Sequence, residues 1–316
     1  MTTGKQIDDR NSLLTKEEFE DIEDKTNFFF TTTSNKKIAY HDFGDPNGKP
    51  IIFFHGTGSH IHSLLLHKPA VEYGFRIITP DRPGVGDSDF YKWELTDFAK
   101  DVEGLADHLE LNTFGIMGIS GGGPTLYATA YTFPERLNFC VDLACAKPVF
   151  TDPEMIKDQG LADKFYAKVG AKLPLALFEI PYGILGTMQK ILKSPKSFAK
   201  MFNDSLCEAD KSIFDISDFQ YVFMHDFQYL FKHGAKGPAY DAQTNYRKWD
   251  FDIRDVEFPV QVYQGSDDKF IPPKHSNWLI GKLKNVNITT YEKQGHFYHV
   301  VYGYQLLRTV KEKFLG

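Results

Sequence analysis

Ser120 stands in Gly118-Ile119-Ser120-Gly121-Gly122, a G-x-S-x-G pattern that strips side chains away from one hydroxyl. The residues before it, Phe114 to Ile119, form an apolar strand-like run, and those after it read as a helix. A strand-to-helix turn this tight holds the serine in a strained backbone conformation and presents its hydroxyl as a nucleophile. Side chains two positions away on either side would collide with the turn, and Gly118 and Gly122 remove them. The N–H groups and dipole of the new helix favour negative charge developing at the hydroxyl. A phosphate-binding loop is the competing use of such a turn. The lysine of a P-loop and the spacing G-x-G-x-x-G are both missing here.

A nucleophilic serine needs a base, and the base needs an orienting acid; in this motif class they follow as Ser, acid, His. His296, in "EKQGHFYHV", comes directly after the last strand-like run. His299 falls in the first turn of the next helix and is the lesser candidate. "VYQGSDDKFIPPKH" puts Asp267 and Asp268 at the C-terminal end of a buried strand, the edge where catalytic groups of open α/β sheets collect. Asp268 is the chosen acid, Asp267 the reserve and Asp142 a distant third. Capping of the helix near Pro272 is the non-catalytic alternative for either of the first two. "FFHGTGSH" ends another strand in a glycine-rich loop whose backbone can approach a substrate. The N–H groups of Thr57 and Gly121 pair there as an oxyanion hole, in which one donor is worth about 3–4 kcal/mol of transition-state stabilisation.

These groups need a scaffold. "PIIFFHG", "FRIITPD", "FGIMGIS" and "LNFCVDLAC" are buried strands separated by helical stretches, among them residues 96–111 with Phe98, Val102, Leu105, Ala106 and Leu109 on one face and Thr96 as N-cap. "FFFTTTSNKKIAYHDFG" reads as a hairpin turning at Ser34-Asn35. Apolar strands alternating with helices predict a mostly parallel sheet covered on both faces. From 148 to 246 no convincing strand occurs, and "FPVQVYQG" and "VNITTYEK" then resume the alternation. The division expected is a polar tail or arm over 1–25, a core over 26–147 and 247–316, and a helical insertion over 148–246. Within the insertion, Leu173 to Met188 is too short and too broken by Pro174, Glu179 and Pro181 to span a bilayer, and reads as a buried segment or pocket wall. "FQYVFMHDFQYLF" reads as the core of the insertion or an apolar roof over the site.

Composition narrows the partners. The 316 residues carry a formal charge of −6, against a broad nucleic-acid surface or an anionic membrane. Cys140, Cys145 and Cys207 are odd in number and lack metal-ligand spacing, which suits reduced thiols and a cytoplasmic location. The acidic N-terminus has no apolar core of a signal peptide. His60, His62 and His67 lie close in sequence but have no accompanying carboxylate spacing for a metal.

Five motifs in order resemble a known family. "FFHGTG" resembles the oxyanion loop of capped α/β-hydrolases, "PDRPGVGDSD" the turn after the following strand, and "GISGGGP" the nucleophile elbow. "WDFDIRDVEFPVQVYQGSDDKFIPPKH" is similar to the return from the cap through the acid strand, and "QGHF" to the histidine loop. The resemblance covers about residues 35–147 and 247–316, and the cap and the first 25 residues carry none. It implies an α/β-hydrolase fold with an inserted all-helical cap. It favours Asp268 over Asp267, because Ile271 and Pro272 fill the apolar and proline places that follow the acid. It makes Asp81, Arg82 and Asp87 scaffold. The function expected is a cofactor-free serine hydrolase acting through an acyl-enzyme on a small or medium carboxylic ester. Amide, lactone and C–C bond cleavage and acyl transfer are its relatives in mechanism, and a non-catalytic ligand receptor is the rival from another class. Halide or epoxide chemistry on this scaffold resembles enzymes with an aspartate nucleophile, which Ser120 argues against.

Overall fold

A computed structural model describes residues 12–157, 161–192 and 194–315. Eight strands form one sheet: β1 (Asn27–Thr31), β2 (Lys37–Gly44), β3 (Lys49–Phe54), β4 (Phe75–Pro80), β5 (Phe114–Ile119), β6 (Leu137–Leu143), β7 (Val260–Gly265) and β8 (Val286–Tyr291). Their spatial order is β1-β2-β4-β3-β5-β6-β7-β8. β2 pairs antiparallel with β1 and β4, and every later pair is parallel. The hairpin turns at Asn35, which takes the left-handed region at φ 56° that its short polar side chain tolerates.

Period-two alternation explains the two covered faces. Ile51 and Phe53 of β3 join one apolar cluster, with Ile77 and Met117, while Ile52 and Phe54 join the other, with Ile78 and Ile116. On the second face lie α2 (Leu95–His108) and α3 (Gly123–Thr132); Phe98, Val102, Leu105 and Ala106 are buried as the helical spacing requires. Thr96 is not the N-cap. Glu94 precedes the helix, its N–H bonded to Asp97 at 3.3 Å, and the Thr96 hydroxyl instead meets Asp250 at 2.5 Å.

Between β6 and β7 the described residues hold no strand. Their helices include α4 (Leu175–Ile191), α5 (Glu208–Phe214), α6 (Ser217–Leu230) and α7 (Lys236–Tyr246); α8 (Gly303–Phe314) follows the last strand. α6 buries Phe219, Phe223 and Phe227, with Phe223 5.1 Å from the Phe227 ring and 4.8 Å from Phe214 of α5. α4 is not simply buried. Phe178 and Gly186 face inward, whereas five aliphatic side chains on the other side are exposed.

The N-terminal segment has a defined place from Ser12 onward. Helix α1 (Lys16–Thr26) opens on a capping box between Thr15 and Glu18. It buries Phe19 against the rings of Tyr221 and His225 on α6, and Glu20 and Glu23 accept hydrogen bonds from the same two residues at 2.7 and 2.9 Å. The arm therefore packs on the helical insertion of its own chain.

Candidate active site

Four loops leave the carboxyl ends of β3, β5, β7 and β8 at one edge of the sheet, and they carry Thr57, Ser120, Asp268 and His296. Ser120 takes φ +49°, a left-handed conformation rare for a residue with a Cβ, at a cost of order 1–3 kcal/mol that its surroundings must hold in place. The Ala146 N–H donates to the Ser120 carbonyl at 2.6 Å. A Cβ at Gly122 would lie 2.2 Å from the Phe54 carbonyl oxygen, and one at Gly123 would lie 2.1 Å from that of Ala146. Gly118 is less demanding: its Cβ would meet Leu126 at 3.3 Å. The crowding thus falls on the helix side of the serine, and Gly123 carries a constraint that the five-residue pattern leaves out.

Beside the elbow, a Cβ on Gly121 would come within 3.0 Å of the Thr57 nitrogen. The backbones of the two loops abut next to Ser120, and neither the Thr57 nor the Gly121 N–H has a hydrogen-bond partner among the described residues. His296 and Asp268 are joined: Nδ1 of the imidazole lies 2.7 Å from Oδ2 of the buried carboxylate. The other oxygen of Asp268 accepts the N–H groups of Phe270 and Ile271 at 2.9 and 2.8 Å, which orients the carboxylate. Asp267 is exposed and bonds the Ser266 hydroxyl instead. Asp142 is buried but engaged with Tyr127, Lys147 and the Cys145 N–H. Burial works against a charged His296, yet the negative charge and hydrogen bond of Asp268, with Asp210 nearby, outweigh it and raise the imidazole above its usual range.

Ser120, His296 and Thr57 line one cavity of about 240 Å³ with aromatic walls from Phe202, Phe223, Phe227, Phe270 and Phe297. A second, larger cavity of about 520 Å³ shares Thr57, Ser120 and Phe270, and adds Tyr182, Asn245 and Lys269. Ser120 sits where the two meet.

Three aspartates of the insertion hold these loops, and none belongs to a recognisable motif. Asp210 on α5 accepts the His296 and Phe297 N–H groups at 3.0 and 2.9 Å. Asp226 on α6 accepts both the N–H and the hydroxyl of Ser59 at 2.8 and 2.7 Å. Asp241 on α7 grips Arg82 through two bonds of 2.5 and 2.9 Å. Arg82 in turn donates to the carbonyls of His55 and Gly56 at 2.7 and 2.8 Å. Burial pushes the Asp226 carboxyl up to about 7, against the Ser59 hydrogen bonds.

The histidines near the oxyanion loop have separate partners. His60 lies against Asp81 at 2.7 Å, and His62, on the cavity wall, is 2.9 Å from His299 through their Nε2 atoms. Burial lowers His62 to about 4. Among the described residues no group of three or more His, Cys, Asp or Glu side chains could hold a metal, and no helix is long and apolar enough to cross a membrane.

Known proteins resemble this arrangement along most of the chain. A non-heme chloroperoxidase of Streptomyces lividans is 25% identical over 284 residues, covering 84% of this chain and 91% of that one. The 2-hydroxy-6-oxo-6-phenylhexa-2,4-dienoate hydrolase of Burkholderia cepacia is 25% identical over 278 residues, covering 84% and 86%. Among solved structures, a thermophilic esterase from Thermogutta terrifontis superposes with a TM-score of 0.61 at 18% identity, over 90% of this chain and 97% of that one. The model of the alpha/beta hydrolase fold matches residues 49–302. With that match spanning most of its length, the chain belongs to the alpha/beta hydrolase family.

Proposed function

We propose that the protein is a serine hydrolase that cleaves carboxylic esters with a small or medium uncharged acyl part. The observation that carries this reading is the 2.7 Å bond from His296 Nδ1 to Asp268, on an imidazole that shares a cavity with Ser120 and with the amide-bearing oxyanion loop. Ser120 Oγ attacks the acyl carbonyl as His296 takes its proton. Asp268 fixes the imidazole tautomer and stabilises its positive charge. The N–H groups of Thr57 and Gly121 receive the tetrahedral oxyanion. The protonated His296 then releases the alcohol, and water attacks the acyl-enzyme by the same route in reverse.

The acyl part stays covalently bound while the alcohol leaves first. The smaller, aromatic-walled cavity therefore suits the acyl part, and the larger, more polar cavity suits the alcohol. The aromatic cavity carries the Asp226 carboxyl and no lysine or arginine among its lining residues. No cationic side chain there would pair with a carboxylate, which favours an uncharged acyl part.

Labelling with a fluorophosphonate, followed by peptide mapping, tests the reading. Label on Ser120, abolished in Ser120→Ala and His296→Ala, is the expected result. With nitrophenyl esters as substrates, activity should peak at short acyl chains and fall for chains that outgrow the cavity. Folded protein that takes no label would remove the activated serine, and with it this function.

A further inference from the structure

Helix α4 carries a row of aliphatic side chains that its own protein does not cover. Leu177, Ile180, Ile184, Met188 and Ile191 are 51, 56, 58, 38 and 69% exposed. Their spacing of three and four residues places them within an arc of about 80° at 100° per residue. The buried Phe178, Gly186 and Gln189 lie on the other side of the helix. The row is about 21 Å long at 1.5 Å per residue, and Phe165 and Val169, just before the helix, are exposed as well. Single exposed aliphatics are ordinary, whereas a contiguous row marks a surface that something covers.

Charge identifies what covers it. Residues 161–200 contain seven lysines and two acids, a local charge of +5 in a chain whose total is −6. Lys168, Lys172, Lys190, Lys196 and Lys200, on α4 or within about ten residues of its ends in the chain, are exposed. A second copy of the chain docked on this face would bring two such basic segments together and meet repulsion. An anionic surface would meet attraction. An apolar stripe rimmed by lysines on a helix too short to span is the pattern of a helix lying in the plane of a lipid interface.

We propose that this face of the cap docks on anionic phospholipid bilayers, with the α4 stripe seated at the level of the outer acyl chains and the lysines on the headgroup phosphates. The whole-chain charge conceals this, because the acids lie elsewhere. α4 also contributes Tyr182 to the larger cavity beside Ser120, so the lipid surface would lie one helix thickness from that cavity. Docking rests on the cap surface alone and does not depend on the chemistry assigned to Ser120.

The test is co-sedimentation of the full chain with phosphatidylcholine vesicles, with and without about 30 mol% phosphatidylglycerol. Binding is expected with phosphatidylglycerol only, and it should weaken several-fold between about 0.05 and about 0.5 M salt. The double variant Ile180→Asp/Ile184→Asp should lose about tenfold or more in partitioning, and Lys190→Glu/Lys196→Glu several-fold. Both replace exposed side chains, so circular dichroism and melting temperature should match the parent. Absence of binding to the anionic vesicles overturns the proposal, as does equal binding to neutral ones. A dimer in sedimentation velocity that the double aspartate variant abolishes would assign the face to a second copy and overturn it too.

Discussion

The sheet-bearing core and the helical cap divide the work of the site differently from the way their sequences advertise it. The core supplies the residues proposed for the reaction, namely Ser120, His296, Asp268 and the Thr57 and Gly121 amides, all from loops at one sheet edge. The cap adds aromatic walls and three buried carboxylates, Asp210, Asp226 and Asp241, each gripping a core loop or the arginine behind one. A chemical residue can be recognised from its own motif. A residue that holds the backbone of another loop is visible only when both are seen together. The helical insertion thus braces the loops as well as walling the cavity.

The largest effects should come from the core. Ser120→Ala should lower kcat/KM by about 10⁴-fold or more, as loss of a nucleophile does elsewhere. Asp268→Asn should cost on the order of 10³–10⁴-fold by spoiling the imidazole tautomer. Its neighbour sets the contrast: Asp267→Asn, altering an exposed side chain, should change kcat/KM less than about twofold. Steady-state rates on one ester for the three variants check the assignment, and equal losses at 267 and 268 would break it.

The elbow offers a sharper cut inside the core. Gly122→Ala would drive a methyl to 2.2 Å from the Phe54 carbonyl, and Gly118→Ala would bring one to 3.3 Å from Leu126. The first should unfold the turn or shift the oxyanion loop, with a destabilisation of about 3 kcal/mol or more; the second should cost about 1 kcal/mol or less. Denaturant melts of the two variants measure the difference. Similar midpoints would mean that the glycines flanking Ser120 are interchangeable.

Within the cap, Asp210 should matter next. Asp210→Asn replaces an acceptor of two N–H groups by a side chain with one acceptor and one donor, so one of the His296 and Phe297 amides loses its partner. About a 10- to 100-fold fall in kcat/KM is expected, at 1.4 kcal/mol per tenfold. The negative charge of Asp210 also helps to raise His296. In the proposed mechanism His296 must be neutral to act as base, so activity should be lost as pH falls through its pKa. Removing Asp210 should move that acid limb to lower pH. A pH–rate profile with an unmoved limb would leave Asp210 a purely structural role.

Much of the core was legible because its chemistry leaves local marks. Apolar runs such as "IIFF" and "FGIMGI" can only be covered strands, and Ser120, Asp268 and His296 follow strands in a telling order. The errors there were small and local, as where Glu94 displaced Thr96 from the head of α2. The cap was opaque for two physical reasons. Asp210 reaches backbone amides 86 and 87 residues away, a separation with no sequence periodicity. α4 buries Gln189 and leaves a row of aliphatic side chains exposed, so its pattern does not say which side faces water. One signal was present and passed over: Asp226 lies three residues from Phe223 on the buried face of α6, where a carboxylate needs a partner.

Asp226 gives the most specific test of the brace. Burial, with a lesser push from Asp81, raises its carboxyl from the usual 3.8 to about 7, while the Ser59 bonds and His225 pull it down. A carboxyl whose folded pKa lies above its unfolded one binds its proton more tightly when folded. Its contribution to stability is complete below about pH 4 and is lost as pH rises to about 7. Asp226→Asn keeps an acceptor for Ser59 and has no proton to lose, so that decline should disappear. Relative to the parent, the variant should gain about 4 kcal/mol between those pH values, at about 1.4 kcal/mol for each tenfold in proton affinity, read as a diverging pair of melting temperatures. Parallel curves would mean that Asp226 is ionised throughout and that the bond to Ser59 alone fastens α6 to the oxyanion loop. In that case cap and core would be joined by charge on both sides of the site, at Asp210 and at Asp226 alike.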